Sequence, residues 1–243
     1  MKKLNSSSYK IEGTKKRLKE VQVRVNSALL AAGRKPGETS ILAVSKKKPV
    51  AAIESLYKMG QIDFGENVIQ EASRKVSALK HLNINWHFIG QIQSNKTREI
   101  AENFQWVHTV DRIKIAKRLN NQRPHQAPPL QICIQVNQKG ESQKGGIEPS
   151  GVKSLAYEIM ELPRLHLRGL MTIPPLAKAP EETATFFSLL EEQLNRLKEE
   201  GIPMDTLSMG MSSDLETAIL NNSTIVRIGK AIFGPRLQNE KYI

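Results

Sequence analysis

The 243-residue chain contains one cysteine, Cys133. An intrachain disulfide is therefore excluded, and a lone thiol inside an apolar run suits a reducing cytosol, so the expected location is cytoplasmic. No apolar run approaches the ~20 residues that cross a bilayer, and no membrane partner is expected. The N-terminus begins Met1-Lys-Lys without an apolar segment behind it, which argues against a secretory signal. Zinc-ligand spacing, an aromatic RNA-binding motif and a helix-turn-helix are all missing, and no metal is expected. Acidic residues are scarce in one region only. Residues 1–50 hold 13 Lys and Arg against 3 Asp and Glu, while the remainder holds 23 against 21, so the net charge of +12 is concentrated near the start. A basic helix there could follow a phosphate backbone, but a solvated face is the plainer reading, and nucleic acid is not an expected partner.

What is present is alternation. A helical pattern over residues 8–32 places Ile11, Leu18, Val21, Val25, Ala28 and Leu29 on one side, with Gly33 as its C-cap. Strands are expected at 41–45, 62–64, 86–89, 106–110, 130–136, 165–170, 205–208 and 224–228, each followed by a helical or turn segment. Gly65 is read as the turn after the second strand and Asp111 as a helix N-cap. The fifth strand alternates most cleanly, and 138–146 and 171–175 read as loops. Eight β-α units predict an α/β fold, a single (β/α)8 TIM barrel with an extra N-terminal helix. No G-x-G-x-x-G follows the first strand, which argues against a doubly wound sheet. One domain is expected over 1–243, with the helix at 8–33 and the barrel at 40–236.

In such a barrel the site lies at the carboxyl ends of the strands, and phosphate commonly binds after strands seven and eight. Gly210-Met-Ser212 follows strand seven and Gly229 follows strand eight, where glycines admit an anion and a hydroxyl donates. They could equally be ordinary turn residues. Lys46 ends the first strand on the same side as Leu42 and Val44, just before Pro49 opens a helix. It is either a solvated lysine or an amine facing a pocket, where nearby cations would favour its neutral, nucleophilic form. An amine for an aldehyde, plus a phosphate site, describes pyridoxal 5′-phosphate (PLP). Arg227, near the end of strand eight, could point at the pyridine nitrogen. Arginine keeps its proton, so the ring would be a weak electron sink.

The motifs Ala43-Val-Ser-Lys46, Phe64-Gly-Glu-Asn67, Trp86-His-Phe-Ile-Gly90, Gln93-Ser-Asn-Lys96, His108-Thr-Val-Asp111, Arg168-Gly-Leu-Met171, Leu207-Ser-Met-Gly-Met-Ser212 and Val226-Arg-Ile-Gly229 resemble, in order, those of the YggS/PROSC pyridoxal phosphate homeostasis proteins. That family's fold resembles the N-terminal barrel of alanine racemase. The resemblance implies that Lys46 forms the Schiff base, Arg227 partners the pyridine, Ser212 and Gly229 hold the phosphate, and Asn67 and His87 line the pocket. Asn67 could instead cap its helix, and His87 could be a satisfied core histidine. The family commonly has serine or threonine where this chain has Lys230. That exchange removes a hydroxyl contact and either supplies a charge or points into solvent.

Two functions compete. One is a PLP-dependent amino-acid racemase; the other is a protein that holds PLP and releases it, with B6 vitamers as ligands and PLP-requiring apo-enzymes as recipients. A racemase needs a second base. Alanine racemases take a tyrosine from a further domain, whereas this chain ends about 14 residues past strand eight. Tyr9, Tyr57, Tyr157 and Tyr242 all lie away from the expected strand ends. The expectation is a homeostasis protein with no catalytic residue and little or no turnover. A cofactor-free Schiff-base aldolase would place its lysine later in the barrel.

Overall fold

The computed structural model describes residues 6–140, 145–175 and 179–235, and in it eight parallel strands close into one barrel. They are β1 (Ser40–Val44), β2 (Asp63–Glu66), β3 (Asn85–Phe88), β4 (Trp106–Val110), β5 (Leu130–Gln135), β6 (Leu165–Met171), β7 (Thr206–Ser208) and β8 (Ile225–Ile228). They pair in chain order, and β8 returns to β1 with Leu42 opposite Arg227. Between them run α2 (Val50–Tyr57), α3 (Ile69–Ala78), α4 (Thr97–Asn103), α5 (Ile113–Gln122), α6 (Val152–Met160), α7 (Pro180–Glu199) and α8 (Leu215–Leu220). α1 (Ser6–Ala31) precedes the barrel and α9 (Lys230–Phe233) follows it. Arg236 and Tyr242 lie outside the described residues.

Outward-facing Ala43, Phe64, Phe88, Val107, Ile132 and Val226 join an apolar layer with helix residues such as Leu56, Ala72, Ile100, Leu119 and Leu194. Leu42, Val44, Cys133 and Ile225 are equally buried but stand apart from that layer, on the lumen side. With them inside are His87, His108, Gln135, Ser208 and Arg227. A hydrogen bond from β4 to β7, between His108 and Ser208, can only cross the interior. The lumen therefore holds polar side chains beside apolar ones. β5 is buried at five of its six positions rather than at every second one, as a parallel strand covered on both sides should be.

Three sequence expectations are corrected. Gly65 is a strand residue, because β2 continues through Glu66 to pair with Phe88 of β3. Asp111 does not cap α5, whose N-cap is Arg112 with no side-chain bond; its carboxylate pairs with Arg112 at 2.5 Å. Part of the basic excess is also structural. α1 packs on α2, α8 and α9. Its Arg24 holds Glu216 of α8 at 2.7 and 2.9 Å, and Arg17 Nε donates to Ile232 O of α9 at 2.8 Å. Just past α1, Arg34 donates to Ile219 O and Ser223 O. The lysines Lys16 and Lys19 do form a solvated face. Among the described residues no helix is long and apolar enough to cross a membrane.

Candidate functional site

β1 stops at Val44, so Lys46 stands two residues beyond the strand, partly buried, in a turn closed by Lys48 N–H to Ser45 O at 3.0 Å. Lys47 adopts φ +58°. A buried ionic cluster supports this turn. Lys75 Nζ donates to Ser45 O (2.8 Å), Glu66 Oε1 (2.8 Å) and Glu71 Oε1 (2.6 Å). Ser45 Oγ also donates to Glu66 Oε1, at 2.5 Å, and the Lys47 N–H donates to Glu71 Oε1, at 2.6 Å. Glu66 is fully buried, and its Oε2 has no hydrogen-bond partner among the described residues. Burial raises its carboxyl above the ordinary range, against the pull of Lys75 and Ser45. The backbone on both sides of Lys46 is thus fixed by side chains from β2 and α3.

Arg227 reaches inward from β8 toward the carboxyl ends of β6 and β7. Its Nη1 donates to Ser208 O and to Ser208 Oγ (2.9 Å), and Nη2 donates to Thr172 O at 2.7 Å. A guanidinium has five N–H groups; among the described residues, none is shown to accept from Nε–H or the second Nη2–H. Burial lowers its pKa to about 10, so it stays charged at neutral pH.

The loops after β7 and β8 meet. Ser212 Oγ accepts the Ala231 N–H of α9 at 3.1 Å, and Arg24 ties Ser212 O to α1. Gly210 is needed by the chain itself, because φ is +94° and a Cβ would lie 2.5 Å from Ala218 Cβ. Gly229 is different. Its φ is −106°, and a Cβ there would meet nothing nearer than Val44 at 3.6 Å. Packing among the described residues does not demand a glycine there. Lys230 is exposed.

Asn67 follows β2 at the same barrel end, partly buried. It does not cap α3, whose N-cap is Val68 with no side-chain bond. His87 lies lower in the lumen, beside a cavity of about 70 Å³ lined by Ser40, Leu42, Asp63, Trp106 and Ile225. Both its nitrogens are taken: Nε2 by Asp63 Oδ1 at 3.2 Å and Nδ1 by His108 Nε2 at 2.9 Å. Of the two readings of His87, these bonds favour the satisfied interior histidine. Sequence reading passed over Glu66, Lys75, Asp63, His108 and Ser208. The i,i+4 spacing of Glu71 and Lys75 was the one local signal available; the others meet only through barrel closure.

Residues 21–236 match the family described as alanine racemase, N-terminal domain. A pyridoxal phosphate homeostasis protein of Pseudomonas aeruginosa is 52% identical over 218 residues, 89% of this chain and 93% of that one. Its Escherichia coli K12 namesake is 46% identical over 231 residues, 92% and 97% of the two chains. PipY of Synechococcus elongatus, solved without PLP, is 34% identical with a TM-score of 0.78, over 86% of this chain and all of that one. The form with PLP bound gives 33% and 0.77 over the same shares. The chain belongs to the pyridoxal phosphate homeostasis protein family, built on the alanine racemase N-terminal fold.

Proposed function

We propose that this chain binds PLP at the carboxyl end of the barrel and serves cellular PLP homeostasis, holding the cofactor on Lys46 and handing it to apo-enzymes. The observation that carries this reading is Arg227: a buried, charged guanidinium at the Lys46 end of the barrel, with two N–H groups left after its bonds to the described residues. The residues fit the cofactor's parts. Lys46 Nζ would join the aldehyde carbon with loss of water, Arg227 would donate to the ring nitrogen, and Asn67 would line the pocket. Ser212 and the backbone at Gly229 would receive the phosphate, where the missing Cβ leaves room. His87 would act at a distance. When bound, PLP supplies an electron-withdrawing ring. A guanidinium does not give up its proton, so the ring nitrogen stays unprotonated and withdraws weakly. That favours retention over turnover. A second base is also lacking near Lys46 among the tyrosines with described side chains, since Tyr57 and Tyr157 sit on the outer helices α2 and α6.

Loading with PLP, reducing with borohydride and mapping the peptides tests the reading. The pyridoxyl mass is expected on Lys46. A label confined to Lys47, Lys48 or Lys230 would overturn it.

A further inference from the structure

Five side chains from five strands form one hydrogen-bonded line across the lumen. Asp63, at the start of β2, accepts at Oδ1 from Asn85 Nδ2 (3.1 Å) and meets His87 Nε2 (3.2 Å). His87 Nδ1 lies 2.9 Å from His108 Nε2, and His108 Nδ1 lies 2.7 Å from Ser208 Oγ. Ser208 Oγ is in turn 2.9 Å from Arg227 Nη1. His87 is stacked on Trp106, ring centroids 5.4 Å apart and planes 6° apart, and Arg168 covers the other ring at 4.9 Å.

The two ends dictate every proton between them. Ionised Asp63 can only accept, so His87 Nε2 carries the hydrogen. A neutral His87 then has a bare Nδ1, which needs the Nε2–H of His108. His108 Nδ1 is bare in turn and accepts the Ser208 hydroxyl hydrogen. That leaves a Ser208 lone pair for Arg227, which can only donate. With neutral rings no other assignment satisfies all four contacts. Burial keeps both rings neutral by lowering them below their ordinary value; His108 falls further, with His87 and Arg227 adding to the effect. Burial pushes Asp63 up, but the bonds from His87 and Asn85 outweigh it and its carboxyl ends below the usual range. Asp63 is also the most exposed member of the line, its side chain 25% accessible beside a cavity of about 360 Å³ at the amino end of the barrel.

We propose that Asp63 is a positioning residue for Arg227: from the amino end of the barrel it fixes both histidine tautomers, which aims the Ser208 hydroxyl hydrogen at His108 and a lone pair at Arg227, and so holds the guanidinium with an N–H turned to the pyridine nitrogen. The inference rests on the PLP reading above. Its function is to transmit a fixed orientation, not to move a proton. Thr172 O and Ser208 O restrain the guanidinium from the strand ends, and the line restrains it from inside the lumen.

Two measurements on wild type, Asp63→Asn and Ser208→Ala test it. Histidine ring ¹⁵N shifts in the cofactor-free protein should show His87 and His108 as Nε2–H tautomers in wild type. In Asp63→Asn they should become mixed, because an amide can donate as well as accept. PLP-loaded Asp63→Asn should show a shifted cofactor absorbance and lose PLP about tenfold faster, the scale of one hydrogen bond to a charged group. Ser208→Ala, which cuts the line next to Arg227, should shift absorbance and retention the same way while leaving His87 Nε2 protonated. Asp205→Asn, which alters a carboxylate at the same barrel end bound to Arg168 instead, should change neither. Wild-type tautomers other than Nε2–H would overturn the proposal. So would Asp63→Asn and Ser208→Ala proteins with wild-type absorbance and retention. A wild type that takes up no PLP would sink the underlying reading, and this inference with it, before any variant is compared.

Discussion

Replacing Arg227 with glutamate puts an acceptor where the ring nitrogen expects a donor. The nitrogen should then prefer its protonated form, so Arg227→Glu is expected to shift the bound cofactor's absorbance and to weaken PLP retention. An unchanged spectrum with unchanged affinity would make Arg227 a purely structural strand residue. Lys75→Met tests the support beneath Lys46. It strands Glu66, which is buried and whose carboxylate, among the described residues, otherwise bonds only to Ser45. Removing one partner of a buried pair typically costs about 3–5 kcal/mol. The urea midpoint should fall accordingly, and Lys75→Met with Glu66→Gln should recover part of it by removing the stranded charge. The histidines set a pH dependence. Both sit below the ordinary value when folded, so the unfolded chain protonates first as pH falls. Their contribution is therefore complete above about pH 6.5 and lost on acidification below it, at up to about 1.4 kcal/mol per pH unit for each ring. Glu66 is shifted upward and acts in the opposite sense. Lower stability at pH 5.5 than at pH 7.5 is the expected signature in urea titrations, and a flat profile would show rings that titrate alike folded and unfolded.

Among the elements, the loop after β3 is tightly constrained. A Cβ on Gly90 would lie 2.1 Å from Asn67 O, in backbone that cannot swing aside. Gly90→Ala should displace the Asn67 loop and lower both stability and PLP retention; wild-type behaviour in both would show that the loops separate at no cost. The strands and their order were legible because buried parallel strands between amphipathic helices leave a strong pattern, and β4 was bounded correctly at both ends. The end of β2 was not. Gly65 looks like a turn locally, and only pairing with β3 makes Glu66 a strand residue. α9 was missed because four residues carry no period. Lys46 lies past the end of β1, in a turn that alternation does not describe, whereas Arg227 could be reached by alternation along β8. The Asp63 to Ser208 line could not, because its members are spread over 146 positions and converge only when the ring closes.

For the molecule as a whole, the expectation is binding without useful turnover. General acid–base assistance is typically worth ~10²–10⁴-fold, and the ring electronics proposed for Arg227 would not replace it. Racemase or transaminase rates on common L-amino acids should match free PLP, while transfer to an apo-enzyme is measurable. D-isomer formation well above the free-cofactor control, and abolished in Lys46→Ala, would put the racemase first. The α1 clamp has a further consequence, for biosynthesis. Arg17 and Ile232 are 215 positions apart, and Arg24 and Glu216 are 192 apart. At roughly 5–20 residues per second, the partner of α1 leaves the ribosome about 10–40 s after α1 itself. Meanwhile the stripe of Leu18, Val21, Val25 and Leu29 lacks α8 and α9, with α2 the one neighbour already made, and β1 waits with an open edge for β8. Nascent chains halted before β8 should therefore be caught by chaperones or precipitate. The residues proposed for the cofactor, Ser212, Arg227 and Gly229, all lie at or after the loop that follows β7, so on that reading a new molecule would have to finish its ring before it could take its first cofactor.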